Sequence, residues 1–190
     1  MKTVGIVLAA GESRRMGSPK ALLLDRDGVP LAARQAQILR GGGCDSVAVV
    51  LGAEIDRIRK ALPAGLATVE NPRWAQGRAS SLQAGIGAFP AADGWFFLPV
   101  DAVGVKRETV RALLAAAEKE PAAIWRPVHR GQKGNLLWIP REAGRDLVRL
   151  PAAARVDEWA RPQARTLDVD DEAILRNVNT PEEWAAVAEG

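Results

Sequence analysis

The 190-residue chain is poor in several groups on which protein chemistry often depends: it has one cysteine, one histidine, two methionines and no tyrosine. With Cys44 alone, an intrachain disulfide framework is excluded, and with His129 the only histidine a Cys/His zinc site is excluded as well. No run approaches the roughly 18 apolar residues of a membrane span. The N-terminal stretch lacks the layout of a secretory signal, because the apolar run after Met1-Lys2-Thr3 leads into Glu12, Arg14 and Arg15 rather than a cleavage site. What remains is of globular type, 47% hydrophobic and 26% charged, with 18 Gly and 12 Pro. The length suits one domain with a sizeable core. The expectation is a single domain over residues 1–190, soluble and cytoplasmic, with no membrane partner.

Charge is unevenly placed. Residues 1–40 carry seven basic side chains (Lys2, Arg14, Arg15, Lys20, Arg26, Arg34, Arg40) and three acidic ones (Glu12, Asp25, Asp27), whereas the whole chain is only +3. A nucleic-acid binder spreads its cations over a face and interleaves aromatics. Here the aromatics are scattered, which argues against nucleic acid, and a local positive pole suits a small polyanion.

Hydrophobic patterning alternates short apolar strands with amphipathic helices. Strands are expected at 2–9, 46–52, 66–70, 95–100 and 122–128, with helices at 30–40, 54–62, 80–89 and 109–119. This βαβαβαβαβ order implies a mostly parallel sheet with helices on both faces. The last third is less regular, with strands at 136–139 and 166–169 and helices at 141–150 and 181–189; residues 150–155 look linker-like but are too short to separate domains. In open α/β sheets ligands sit beyond the carboxyl ends of the strands, which directs attention to the loops opening at Ala10, Asn71 and Asp101.

The first of these loops carries the cations. Leu8-Ala9-Ala10-Gly11-Glu12-Ser13-Arg14-Arg15-Met16-Gly17-Ser18-Pro19-Lys20 leaves a buried strand and combines glycine with Arg and Lys. Glycine lets backbone N–H groups converge on an anion, and the cations then neutralise it. A Walker loop is excluded by the spacing of Gly11, Gly17 and Lys20, and no dinucleotide G-x-G-x-x-G is present. From the residues alone, phosphate binding is favoured over a merely solvated basic loop.

The loop resembles the nucleotide-binding loop of the molybdenum-cofactor nucleotidyltransferases, the MobA-like NTP transferases. The resemblance extends through Asp27-Gly28-Val29-Pro30-Leu31, the segment Asn71-Pro72-Arg73-Trp74-Ala75-Gln76-Gly77-Arg78-Ala79-Ser80-Ser81-Leu82, the strand end Leu98-Pro99-Val100-Asp101 and the closing Asn177-Val178-Asn179-Thr180-Pro181-Glu182-Glu183. It implies a three-layer, Rossmann-like nucleotide-diphospho-sugar transferase fold and transfer of a nucleoside monophosphate from an NTP to a phosphate acceptor, with release of pyrophosphate. It further implies that Arg15 and Lys20 hold the triphosphate and that Asp101 binds Mg²⁺, these three being the catalytic set. Leu8, Ala9, Ala10, Gly11, Asn71, Gly77, Ser80 and Ser81 complete the nucleotide site, with the two serines meeting the base. The residue types suit the chemistry. An acceptor phosphate is already an anionic nucleophile, so positioning and electrostatics, not a general base, lower the barrier.

Two departures from the family pattern bear on substrate choice. Gly134-Asn135-Leu136 stands where members that use CTP with molybdopterin carry Gly-His-Pro, and Asn177 stands where many have the first Asp of the closing motif. Asn177 is common in the guanylyltransferase branch, whereas Ala9-Ala10-Gly11 resembles the cytidylyltransferase branch. The expectation is CTP with molybdopterin; GTP, or a sugar or alcohol phosphate as acceptor, are the alternatives. A nucleotide-binding protein without turnover, for instance a partner that matures a molybdoenzyme, is the reading from another class, and a molybdoenzyme or a chaperone is the macromolecular partner considered. His129 is expected on the surface or in a loop, and the six tryptophans are expected to pack.

Overall fold

The computed structural model describes residues 1–189. The first strand, β1 (Thr3–Ala9), is followed by α1 (Leu31–Gly41), β2 (Ser46–Leu51), α2 (Ile55–Ala61), β3 (Ala67–Glu70), α3 (Arg78–Ala88) and β4 (Gly94–Pro99). Next come α4 (Arg107–Lys119), β5 (Ile124–His129), a two-residue β6 (Gln132–Lys133), β7 (Leu137–Pro140) and α5 (Arg141–Arg149). A short α6 (Val156–Ala160), β8 (Ala164–Asp168) and α7 (Pro181–Glu189) complete the order. The strands form one sheet in the order β3-β2-β1-β4-β7-β5, with β6 and β8 both pairing with β5.

β3, β2, β1 and β4 pair in parallel, and β8 is parallel to β5. β7 runs antiparallel between β4 and β5. The expected mostly parallel sheet is therefore present, with this reversed strand wedged into it.

Alternation along the strands divides the core into two layers. Val7, Ala9, Val49, Leu51, Phe96, Leu98 and Trp138 face α1 and α4, while Val4, Ile6, Val50, Trp95, Phe97 and Ile139 face α3 and α5. The helices supply matching stripes. In α4, Val110, Leu113, Leu114 and Ala117 repeat at helical spacing and are buried. Trp95, Trp125 and Trp138 are buried in the sheet, while Trp74, Trp159 and Trp184 are half-buried. His129 departs from expectation: it ends β5, is buried, and its Nδ1 lies 2.9 Å from the Val169 carbonyl oxygen. Among the described residues no helix is long and apolar enough to cross a membrane.

Candidate functional site

The carboxyl ends of β1, β2 and β4 open on one edge of the sheet, and a cleft lies there in two lobes. The wider lobe, about 440 Å³, includes Ala10, Trp74, Gly77, Arg78, Ser81 and Asn135 in its wall. The narrower, about 140 Å³, is walled by Ala9, Ser13, Pro19 and Lys20 among others. Leu8, Gly11 and Asp101 belong to both. The alternation that divides the core also divides the cleft: Ala10 belongs to the α3 face and Ala9 to the α1 face.

In the narrow lobe the glycine loop forms two short 3-10 turns, Arg14–Met16 and Lys20–Leu22. Ser13 takes a left-handed conformation, φ 55°, and its Oγ accepts from the Lys20 backbone N–H at 3.1 Å. Met16 is buried and anchors the loop. The Lys20 ammonium donates to Asp101 Oδ2 and to Asn179 Oδ1, both at 2.8 Å. Its side chain is only 12% exposed, so this contact is screened less than a surface pair. Arg15, by contrast, is exposed, outside both lobes and without a hydrogen-bond or ion-pair partner among the described residues.

Asp101 is held by the backbone around it. Buried Gln35 of α1 donates from Nε2 to the carbonyls of Val100 and Ala102, at 3.3 and 2.8 Å. The Val178 N–H donates to the Asp101 carbonyl at 3.0 Å, which lays Asn177 and Asn179 along the wide lobe. A segment about 80 residues distant in sequence thereby joins the site.

The wide lobe is shaped by two glycines. Gly52, just after β2, would place a Cβ 2.5 Å from the Trp74 Cβ and 2.7 Å from the Ala10 carbonyl oxygen, so only glycine admits the close approach of both. Gly77 has φ 132°, a conformation side chains disfavour, and turns the chain into α3. Asn71 is buried below: its Nδ2 donates to Ser80 Oγ at 2.9 Å and Ser81 Oγ at 3.0 Å. Ser80 is fully buried and donates to the Gly77 carbonyl at 2.8 Å, so its hydroxyl is already committed. Of the expected pair, Ser81 alone lines the cleft, with Asn71 and Ser80 as the supports that fix it.

Arg78, the first residue of α3, is a site residue to which the sequence motifs assign no role. Its side chain reaches across the wide lobe, donating from Nη2 to the Asn135 carbonyl at 3.3 Å and standing 3.7 Å from Asp157 of α6. Burial pushes its guanidinium below the ordinary arginine range, with the Arg126 charge adding to the effect and Asp157 and Asp101 opposing it. The one visible signal was a cation directly after the glycine that opens a helix.

The donor set around Asp101 fits a hard divalent cation. An ammonium already stands between a carboxylate and an amide oxygen, and among the described residues no group of three or more acidic, histidine or cysteine side chains could hold a metal unaided. A cation here would complete its shell with phosphate oxygens and water, as Mg²⁺ ordinarily does.

Sequence and structure comparisons agree with this architecture. The model of the MobA-like NTP transferase domain matches residues 5–168. A molybdenum cofactor guanylyltransferase of Pseudomonas aeruginosa is 26% identical over 192 residues, covering 93% of this chain and 90% of that one. The nicotine blue oxidoreductase of Paenarthrobacter nicotinovorans is 36% identical over 114 residues, 59% of this chain, and the match spans only 55% of its own length. The crystal structure of Rv0371c from Mycobacterium tuberculosis superposes with a TM-score of 0.84 at 26% identity, covering 100% of this chain and 98% of that one. The same mycobacterial protein in complex with manganese gives 0.76 at 23% identity.

Proposed function

The chain belongs to the MobA-like NTP transferase family and is a nucleotidyltransferase, and on that premise we propose that it moves CMP from CTP to the phosphate of molybdopterin, in the cytoplasm and with Mg²⁺. The observation that carries the reaction geometry is Asp101, shared by the two lobes, with Lys20 against it on one side and the wide lobe on the other.

In this reading the β- and γ-phosphates enter the narrow lobe, where Gly11, Ser13 and Lys20 meet them and Arg15 closes from the exposed rim. The base enters between Ala10, Trp74, Gly77 and Ser81. An acceptor phosphate oxygen attacks the α-phosphorus, the bond to the bridging oxygen breaks, and pyrophosphate leaves toward Lys20. No proton has to move, because the attacking phosphate is anionic at neutral pH. Lys20 exchanges its contact with Asp101 for the developing charge on the leaving group, where a preorganised cation has its largest effect. Magnesium at Asp101 supplies neutralisation of the phosphate oxygens when bound.

The choice of CTP rests on the base end. The Ala10 methyl and the Trp74 ring narrow it, and Ser81, accepting from Asn71, retains a hydroxyl hydrogen for a base acceptor. GTP is the second reading, supported by the guanylyltransferase names of relatives aligned over nearly the whole chain. Pyrophosphate release with each NTP, Mg²⁺ and molybdopterin separates them: CTP should give the higher kcat/KM, and Ala10→Gly should narrow its lead over GTP about tenfold, the scale of a methylene-sized change in a pocket. A higher kcat/KM with GTP in the unaltered protein overturns the pyrimidine assignment.

A further inference from the structure

Behind Arg78, which lines the wide lobe, lies a charge cluster that the nucleotide reading does not use. Arg126, in the middle of β5, donates from Nη2 to Asp157 Oδ1, and its side chain is only 12% exposed. Its Nε is buried with no partner. Arg78 approaches the same carboxylate from α3 at the longer 3.7 Å, through Nη1 to Oδ2. One aspartate thus serves two arginines. Arg126 has the hydrogen bond, while Arg78 is left with a loose ion pair and a long contact to a carbonyl.

A guanidinium is most stable with planar, bidentate oxygen partners. Arg78 lacks them although it is substantially desolvated, and 33% of its side chain remains open to the cleft. Position adds a second argument. Displacement at the α-phosphorus is in line, so the nucleophile must approach from the side opposite the leaving pyrophosphate. With the leaving group in the Lys20 lobe, the nucleophile comes from across Asp101. Arg78 lines the wide lobe and not the narrow one.

We propose that Arg78 is the acceptor's docking cation: its guanidinium leaves Asp157 and takes the phosphate of the incoming acceptor as a bidentate pair, while Arg126 retains Asp157. Asp157 therefore competes with the acceptor for Arg78, and Arg126 acts as a positioning residue that keeps this carboxylate beside Arg78. Asn135, whose carbonyl Arg78 touches, stands beside the docked phosphate. The assignment rests on nucleotidyl transfer as the reaction and is independent of the base used or the rest of the acceptor.

Inorganic phosphate is the probe. Its binding is measured by calorimetry on the full chain, saturated with Mg²⁺ and a non-hydrolysable α,β-methylene analogue of the preferred NTP; the analogue's own affinity is measured separately. Arg78→Met should weaken phosphate about tenfold or more while changing nucleotide affinity less than about twofold, and Arg78→Lys should fall between, because it keeps the charge but not the fork. Asp157→Asn should tighten phosphate several-fold, a direction that a purely structural aspartate would not produce. The proposal is overturned if the unaltered protein binds no phosphate, if Arg78→Met leaves phosphate binding unchanged, or if it weakens nucleotide as much as phosphate. It is also overturned if folded Asp157→Asn, checked by its melting temperature, binds phosphate no more tightly. Should Asp157→Asn fail to fold, the Arg78→Met and Arg78→Lys titrations decide alone. Failure of CTP or molybdopterin as substrates leaves every one of these outcomes interpretable.

Discussion

The Lys20–Asp101 and Arg78–Asp157 pairs lie on opposite sides of the cleft and differ in completeness. Lys20 contacts two oxygens at 2.8 Å and is largely enclosed. Arg78 has its carboxylate at 3.7 Å and shares it with Arg126. The first is a satisfied arrangement, with one cation between a carboxylate and an amide oxygen. The second is an unsatisfied arrangement, with more donors than acceptors. Under the proposed reaction both cations receive anions, one released from acceptors already in place and one held short of them.

The contrast is broken most severely at Asp101. Asp101→Asn keeps the shape but removes the charge that fits a divalent cation, so turnover should fall about 100- to 1000-fold, a loss typical when a charge-stabilising group is removed. The Mg²⁺ concentration needed for half-maximal pyrophosphate release should rise as well; an unchanged Mg²⁺ requirement would reduce Asp101 to a turn residue. Lys20→Ala comes next, with a loss of about 100-fold in kcat. Its melting temperature should move by only a few degrees, as about 1 kcal/mol shifts a domain of this size by roughly 2–4 °C. If folded Lys20→Ala turned over at the unaltered rate, its role with the leaving group would be excluded.

Gly52→Ala tests the wall of the wide lobe, which Trp74 and Ala10 line. The new methyl meets Trp74 and the Ala10 carbonyl well inside contact distance, so about 1–3 kcal/mol of stability should be lost to overpacking. KM for the NTP should rise along with this loss; a normal KM in a destabilised protein would remove Trp74 from the nucleotide site.

The smallest effect concerns pH. Burial opposes ionisation of Asp157, but the Arg126 hydrogen bond and the charges of Arg126, Arg78 and Arg161 outweigh it and hold the carboxyl below its ordinary value. Because the unfolded chain then binds protons first as pH falls, the stabilisation is complete above pH 3.8, the ordinary value, and is lost below it. With over half of the Asp157 side chain exposed, the contribution is under about 1 kcal/mol. Acid unfolding of Asp157→Asn should begin at nearly the same pH but with a shallower slope, and an identical slope would mean that Asp157 does not titrate differently on folding.

How legible each half of the cleft is follows from chain distance. The glycine loop directly follows a strand, so Gly11, Ser13 and Lys20 are linked to their setting by local spacing. Asp101 is likewise announced by the end of β4. Arg78 has its contacts in α6 and the turn before β7, each spanning more than 50 residues. α6 has five residues, too few to show a helical period, and it directly follows the linker-like stretch 150–155. The direction of β7 is equally hidden, since an apolar run has the same period whichever way it points.

By itself the sequence determined the alternation of strands and helices, the two-faced core and the cation-bearing loop, because each depends on residues close together in the chain. Tertiary structure alone decided that Ser81 lines the cleft while Ser80 and Asn71 brace it, that Arg15 stays outside both lobes, that Val178 bonds the Asp101 backbone and that Asn179 meets Lys20. It also decided that Arg78 and Arg126 share one aspartate. These outcomes depend on which distant backbone groups and charges fill one small volume, and no local pattern encodes that competition.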